Sequence, residues 1–222
     1  MPGDDLPRLL AQLGRGTIDD RCRTLAEIGW LGAAAGPAVP RLIEQFDDNR
    51  IRGTGSSAFG PTGNDPGRDF PVALAAVDAL VAIGEPAHAP ILEILARAGW
   101  NTRRYHAMLV AGRLGLTAAI PYLEATIAEQ DCVSVRVNFD QCEDYPLPDA
   151  AFVALRALDP GHALGILDRI VRARERGRGW AVHTLASAAD ATDVVRALLA
   201  DDLLSADERR VITAGVHAAS IP

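Results

Sequence analysis

One short unit recurs along the chain and narrows the possible folds sharply: a turn carrying proline, then two apolar residues followed by an acid. The doublet and acid stand at Leu42-Ile43-Glu44, Ile91-Leu92-Glu93, Tyr122-Leu123-Glu124 and Ile166-Leu167-Asp168. Matching entries precede them: Gly36-Pro37-Ala38-Val39-Pro40, Glu85-Pro86-Ala87-His88-Ala89-Pro90, Ala118-Ala119-Ile120-Pro121 and Asp159-Pro160-Gly161-His162-Ala163. Proline in a first helical turn forfeits no hydrogen bond, and an acid just before it can cap the free amides. Ahead of each entry lies another helix, with apolar residues at threes and fours: Leu25, Ile28 and Leu31; Val77, Leu80 and Ile83; Ala107, Val110 and Leu114; Phe152, Leu155 and Leu158. Gly32, Gly84 and Gly115 close three of these helices where a left-handed cap is expected. Recurrence at this spacing predicts helix pairs that bury their apolar faces only by stacking on one another.

A fifth, weaker pair runs through Val182, Leu185 and Ala189, then Val194, Val195 and Leu198. The ends read as caps. Leu6-Pro7-Arg8-Leu9-Leu10 echoes Val39-Pro40-Arg41-Leu42-Ile43, and Ser205-Ala206-Asp207-Glu208 is a capping box opening a last helix through Ala218. The run of Ala, Leu and Gly, then Ala-Val-Pro-x-Leu, resembles HEAT repeats, in particular the short kind found in phycobilisome-lyase-like proteins. That resemblance implies an all-α chain: one α-solenoid domain over residues 1–222, with about five HEAT-like helix pairs, terminal capping helices and two inter-repeat insertions. HEAT-like proteins include scaffolds, chromophore-lyase subunits, chaperones and DNA glycosylases, so the resemblance leaves function open.

Composition agrees with close helix packing. Apolar residues make up 49% of the 222 but aromatics only 5%, so the core is expected from Ala, Leu, Val and Ile. All 22 basic residues are arginine, as in GC-rich coding, and the net charge is −7. That balance argues against a nucleic-acid protein held mainly by phosphates. No apolar run approaches the roughly 18 residues of a membrane span. Met1-Pro2-Gly3-Asp4-Asp5 carries no secretion signal, and the three cysteines read as reduced thiols, so a cytoplasmic location is expected.

Two stretches break the period. Residues 48–69 are rich in Gly, Pro and Asp, a loop signature. Residues 131–147 include Val133-Ser134-Val135-Arg136-Val137-Asn138-Phe139, which alternates like a strand. A lone strand needs a mate, and Ile51-Arg52-Gly53-Thr54 or another chain are the expected ones. Both insertions follow the second helix of a pair and are expected on one edge, with Arg136 turned toward solvent or a partner.

Glu44, Glu93, Glu124 and Asp168 occupy equivalent positions on successive second helices. A column of carboxylates on a concave face would attract a basic protein; a solvated helix face is the plain alternative. Arg97, Arg103 and Arg104, with Arg169, Arg172, Arg174, Arg176 and Arg178, form either a local anion site or ordinary helix-end cations. Trp100 and Trp180 could stack on a base or chromophore, although Trp30, Trp100 and Trp180, at repeat junctions, read first as core. His88 and His162 follow the repeat, and neither the histidines nor the cysteines have zinc spacing. No P-loop or catalytic triad can be picked out, and no metal or cofactor is expected. Two readings result. The first is a non-enzymatic adaptor, scaffold or immunity-like inhibitor that grips a basic protein through the acidic face and the insertions. The second is an enzyme or carrier on the same scaffold, acting on nucleic acid or a chromophore.

Overall fold

The computed structural model describes residues 5–48, 71–97, 102–130, 132–138, 141–188, 190–201 and 203–219. Outside one hairpin, the elements are helical. They run α1 (Leu6–Gln12), α2 (Ile18–Trp30), α3 (Val39–Glu44), α4 (Pro71–Ile83), α5 (His88–Ala96), α6 (Thr102–Leu114), α7 (Ile120–Glu129), β1 (Cys132–Asn138), β2 (Gln141–Pro146), α8 (Leu147–Leu158), α9 (Pro160–Ala173), α10 (Arg178–Ser187), α11 (Thr192–Ala200) and α12 (Ala206–Ala219).

The expected punctuation is present. Short 3-10 turns at Gly32–Ala38, Glu85–Ala87 and Thr117–Ala119 lead into α3, α5 and α7. Asp159 caps α9 by accepting the His162 backbone N–H at 2.9 Å. Gly32, Gly84 and Gly115 all take positive φ. In the capping box, Glu208 accepts the Ser205 N–H at 2.8 Å, and Ser205 Oγ accepts the Glu208 N–H at 3.3 Å.

Helices α2, α4, α6 and α8 pack in series, each on the next, while α5, α7 and α9 lean on α6, α8 and α10. One apolar core runs through these contacts from Leu6 to Ile212. Close approach depends on small residues. A side chain at Gly112 would place its Cβ 2.7 Å from the Ala154 Cα across the α6/α8 seam, and Gly215 meets the Ala186 backbone as tightly between α10 and α12. At the α8/α10 junction a large residue intervenes. Trp180 stands edge-on to Phe152, with ring centroids 6.2 Å apart, and its Nε1–H donates to Asp149 at 2.5 Å. The two helices approach less closely there, leaving an open groove of about 490 Å3.

Two expectations require correction. The strand finds its mate nearer than expected, within the same insertion: β1 pairs antiparallel with β2, Val133 opposite Tyr145 and Arg136 opposite Cys142, while residues 51–54 lie outside the described residues. The following segment is the cheapest partner, because hairpin closure orders only a few intervening residues. This register also places Cys132 opposite Pro146, four positions from Cys142. At about 3.3 Å per residue, the Cα atoms lie roughly 13 Å apart, beyond the roughly 7 Å a disulfide spans. Trp30, expected in the core, is 85% exposed. Its neighbour Gly29 faces Ala79 of α4, and one residue along a helix turns the next side chain by about 100°, away from the seam. The insertion at 48–69 lies outside the described residues except for Asp48.

Candidate functional site

Each acid of the predicted column has a basic side chain beside it. Glu44 accepts from Arg41 at 2.6 Å, and Glu93 lies 3.8 Å from Arg97. Both pairs lie within one helix turn and are open to water, with the Glu44 and Glu93 side chains 49% and 70% exposed. Pairs of this kind contribute about 0–1 kcal/mol and are readily exchanged. The other two acids are committed between helices. Glu124 of α7 meets the His162 ring of α9, and Asp168 holds Arg172 at 2.8 Å, whose other end reaches Asp201 of α11 at 2.5 Å. The column therefore divides into an accessible half, Glu44 and Glu93, and a half that ties successive pairs together.

The nominated arginines separate in the same way. Arg97 is exposed and, among the described residues, pairs with Glu93. Arg103, at the start of α6, donates from Nε to Asp47 at 2.8 Å, joining α6 to the end of the first pair. Arg104 is buried, donating to Glu129 at 2.9 Å and Thr126 at 2.8 Å, which removes it from any partner-facing surface. Arg136 falls on β1, opposite Cys142. Trp100 lies outside the described residues. Trp180 is partly buried in the α8/α10 junction, its edge held by Asp149 and its ring against Phe152.

Further interhelix pairs went unforeseen. Arg113 reaches Asp78 at 2.6 Å, Arg156 reaches Asp190 at 2.5 Å, and Arg21 contacts Asp48 and Gln45 while donating to the Leu13 carbonyl at 2.9 Å. Arg178 binds most extensively. It donates to Glu208 at 2.6 Å, to the Leu203 carbonyl at 2.8 Å and to the Val171 carbonyl, joining α9, α10 and α12. The adjacent guanidinium holds the Glu208 carboxyl at about 2, far below its usual range. The paired acids lie 27 to 35 residues from their arginines, and no local pattern signals them. Only the capping role of Glu208 was visible in the sequence.

The His106 ring of α6 is buried, its Nδ1–H donating to the Thr102 carbonyl at 2.7 Å, with Phe46 and Tyr105 rings against it. Burial lowers its pKa to about 4, so it is neutral at neutral pH. Among the described residues, no group of three or more His, Cys, Asp or Glu is placed to hold a metal ion. None of the described helices is long and apolar enough to cross a membrane.

The described residues thus define a helical protein whose charged side chains pair both within helices and from helix to helix, with open grooves between them. Compared with models of known protein families, with curated proteins and with solved structures, the chain matches none.

Proposed function

We propose that this chain is a cytoplasmic α-solenoid of about five HEAT-like helix pairs that binds a basic protein, as an adaptor, scaffold or immunity-like inhibitor. The observation that carries this reading is the state of Glu44 and Glu93. Both are exposed, both sit at the same point of successive second helices, and among the described residues each forms its ion pair with an arginine within one helix turn, Arg103 adding a longer-range attraction to Glu44. A partner's arginines or lysines can take over those carboxylates at little cost, because the pairs they replace contribute so little. Net charge of −7 steers such a partner toward the surface and speeds encounter. Glu124 and Asp168 extend the acidic line while serving mainly as links between pairs, and the hairpin at 132–146 offers a further edge beside them.

Capture from native lysate, compared with a charge reversal, tests the reading. Glu44→Arg/Glu93→Arg is expected to abolish capture of a basic protein that wild type retains at low salt and releases as salt rises. Asp193→Arg/Asp207→Arg changes the net charge equally on the last two helices and is expected to leave capture intact. Equal loss in both double variants would reduce the effect to net charge, and unchanged capture by the first would remove Glu44 and Glu93 from the interface.

A further inference from the structure

Arginines without a partner gather at one place on this surface. Among the described residues most arginines have a carboxylate or carbonyl partner; Arg15 lacks one singly, whereas Arg169, Arg174 and Arg176 lack one together and are all exposed. They fall within eight residues at the corner where α9 turns into α10. Arg169 and Arg176 flank a cleft of about 250 Å3 whose floor is Ile127, Ala128 and Ile170, with Glu175 as the one acid in its lining.

The ordinary use of arginines at a helix C-terminus is to satisfy its last carbonyls. Here two of those carbonyls already have donors. The Ile170 carbonyl accepts the Glu175 N–H at 3.2 Å, and the Val171 carbonyl accepts the Arg174 N–H at 3.4 Å and the Arg178 guanidinium. Nearby acids are likewise committed: Asp168 to Arg172, Glu129 to Arg104, Glu124 to His162 and Glu208 to Arg178. Three arginines outnumber the one acid beside them, Glu175, and like charges gathered in this way repel one another.

The corner is also braced. Gly177 takes φ 85° with its Cα against the Gln130 carboxamide, where any Cβ would collide. That contact locks the end of α7 to the α9–α10 turn and fixes the cleft between them. Helix α10 begins directly after Gly177, with no acid in its first turn, so its dipole adds to the positive side.

We infer that this corner is a binding site for an oxyanion, a phosphate or carboxylate, carried on a small apolar body. Guanidinium forks match both oxyanions and form charge-assisted hydrogen bonds with them. The apolar floor takes the body that bears the group, and Glu175 tempers affinity by opposing it.

Amide chemical shifts of the full chain, titrated at low salt with phenyl phosphate, benzoate, inorganic phosphate and benzyl alcohol, test this. Saturable shifts at residues 127–130 and 170–177 are expected with phenyl phosphate or benzoate, and whichever binds more tightly identifies the oxyanion. Inorganic phosphate is expected to bind at least fivefold more weakly, and benzyl alcohol not at all. Arg169→Gln/Arg176→Gln should weaken the tighter probe at least tenfold and Glu175→Gln should strengthen it severalfold, while Arg196→Gln/Arg210→Gln, at arginines already paired with Asp193 and Asp207, leaves it unchanged. The site is overturned if shifts spread equally over every arginine-bearing surface. It is equally overturned if benzyl alcohol or bare phosphate does as well, or if the 169/176 variant binds like wild type. All the substituted side chains are exposed or line the cleft, so folding is not at stake.

Discussion

Gly112→Val is expected to destabilise the protein by about 3 kcal/mol, the largest effect of any single substitution considered, because it adds volume where two helix backbones already touch. A Cβ at position 112 would lie 2.7 Å from the Ala154 Cα and 3.3 Å from its carbonyl oxygen. The obstacle is backbone, so the α6/α8 seam must open, taking with it the buried Val110, Ala111, Ala151 and Leu155. Ala154→Gly is expected not to rescue the variant, since the nearest atom remains. Gly165→Ala supplies the contrast. Gly165 lies in α9 with nothing within 4 Å of a built Cβ, so the added methyl only removes backbone freedom from the unfolded chain. That change is expected to stabilise by about 0.5–1 kcal/mol. Urea melts followed by helical circular dichroism measure both. If Gly112→Val melted with wild type, α6 and α8 would not be in contact as described.

Acidification from pH 6.5 to 4 is expected to remove about 3 kcal/mol of stability through His106 alone. The folded chain binds this proton only near pH 4, whereas the unfolded chain binds it near 6.5. A folded-state pKa below the unfolded one means stability is fully present above 6.5 and is lost as the pH falls through the window to 4. For a chain of this length the loss corresponds to about 6–12 °C in Tm. Glu208 acts in the next window with the same sign. Its folded value of about 2 against 4.5 makes the Arg178 link fail between those limits. Asp48, raised by burial, opposes this in part at the acid end. His106→Gln is expected to be less stable at neutral pH but to show a nearly flat profile from 6.5 down to the region near 4.5 where Glu208 begins to act. A wild-type Tm unchanged from pH 7 to 5 would contradict a buried, neutral His106.

Helix positions were legible because they depend on local chemistry. Leu25, Ile28, Val77, Leu80, Val110, Phe152, Leu155, Val182 and Leu185 are all buried, as their spacing requires. Gly32, Gly84, Gly115, Asp159 and Ser205 act at helix ends through atoms a few residues away. The alternation at 133–139 similarly revealed a strand, but its mate was sought too far along the chain. Side-chain partnerships were not legible. The sequence shows Glu124 and Asp168 as members of a column, and the spacing of Asp168 and Arg172 is that of a local helix pair, yet only packing decides that His162 occupies Glu124 and that Arg172 reaches on to Asp201. Arg104 looked like a surface cation beside Arg103 and is buried, because one residue of helix turns it toward Thr126 and Glu129. The arginine corner was visible as a run of charges, but its lack of partners emerges only from the packed structure, where most other described arginines are engaged.

Distances between spin labels along the second helices test the serial stacking that lines up the acids. With Cys22, Cys132 and Cys142 replaced by serine, labels are placed pairwise at positions 44, 93 and 168. Packed helices stand about 8–10 Å apart, so each further pair adds roughly that distance. A serial stack therefore predicts about 20 Å between 93 and 168 and about 30 Å between 44 and 168. A 44–168 distance equal to or shorter than 93–168 would mean the helices close into a bundle, and the shared face proposed to grip a basic partner would not exist.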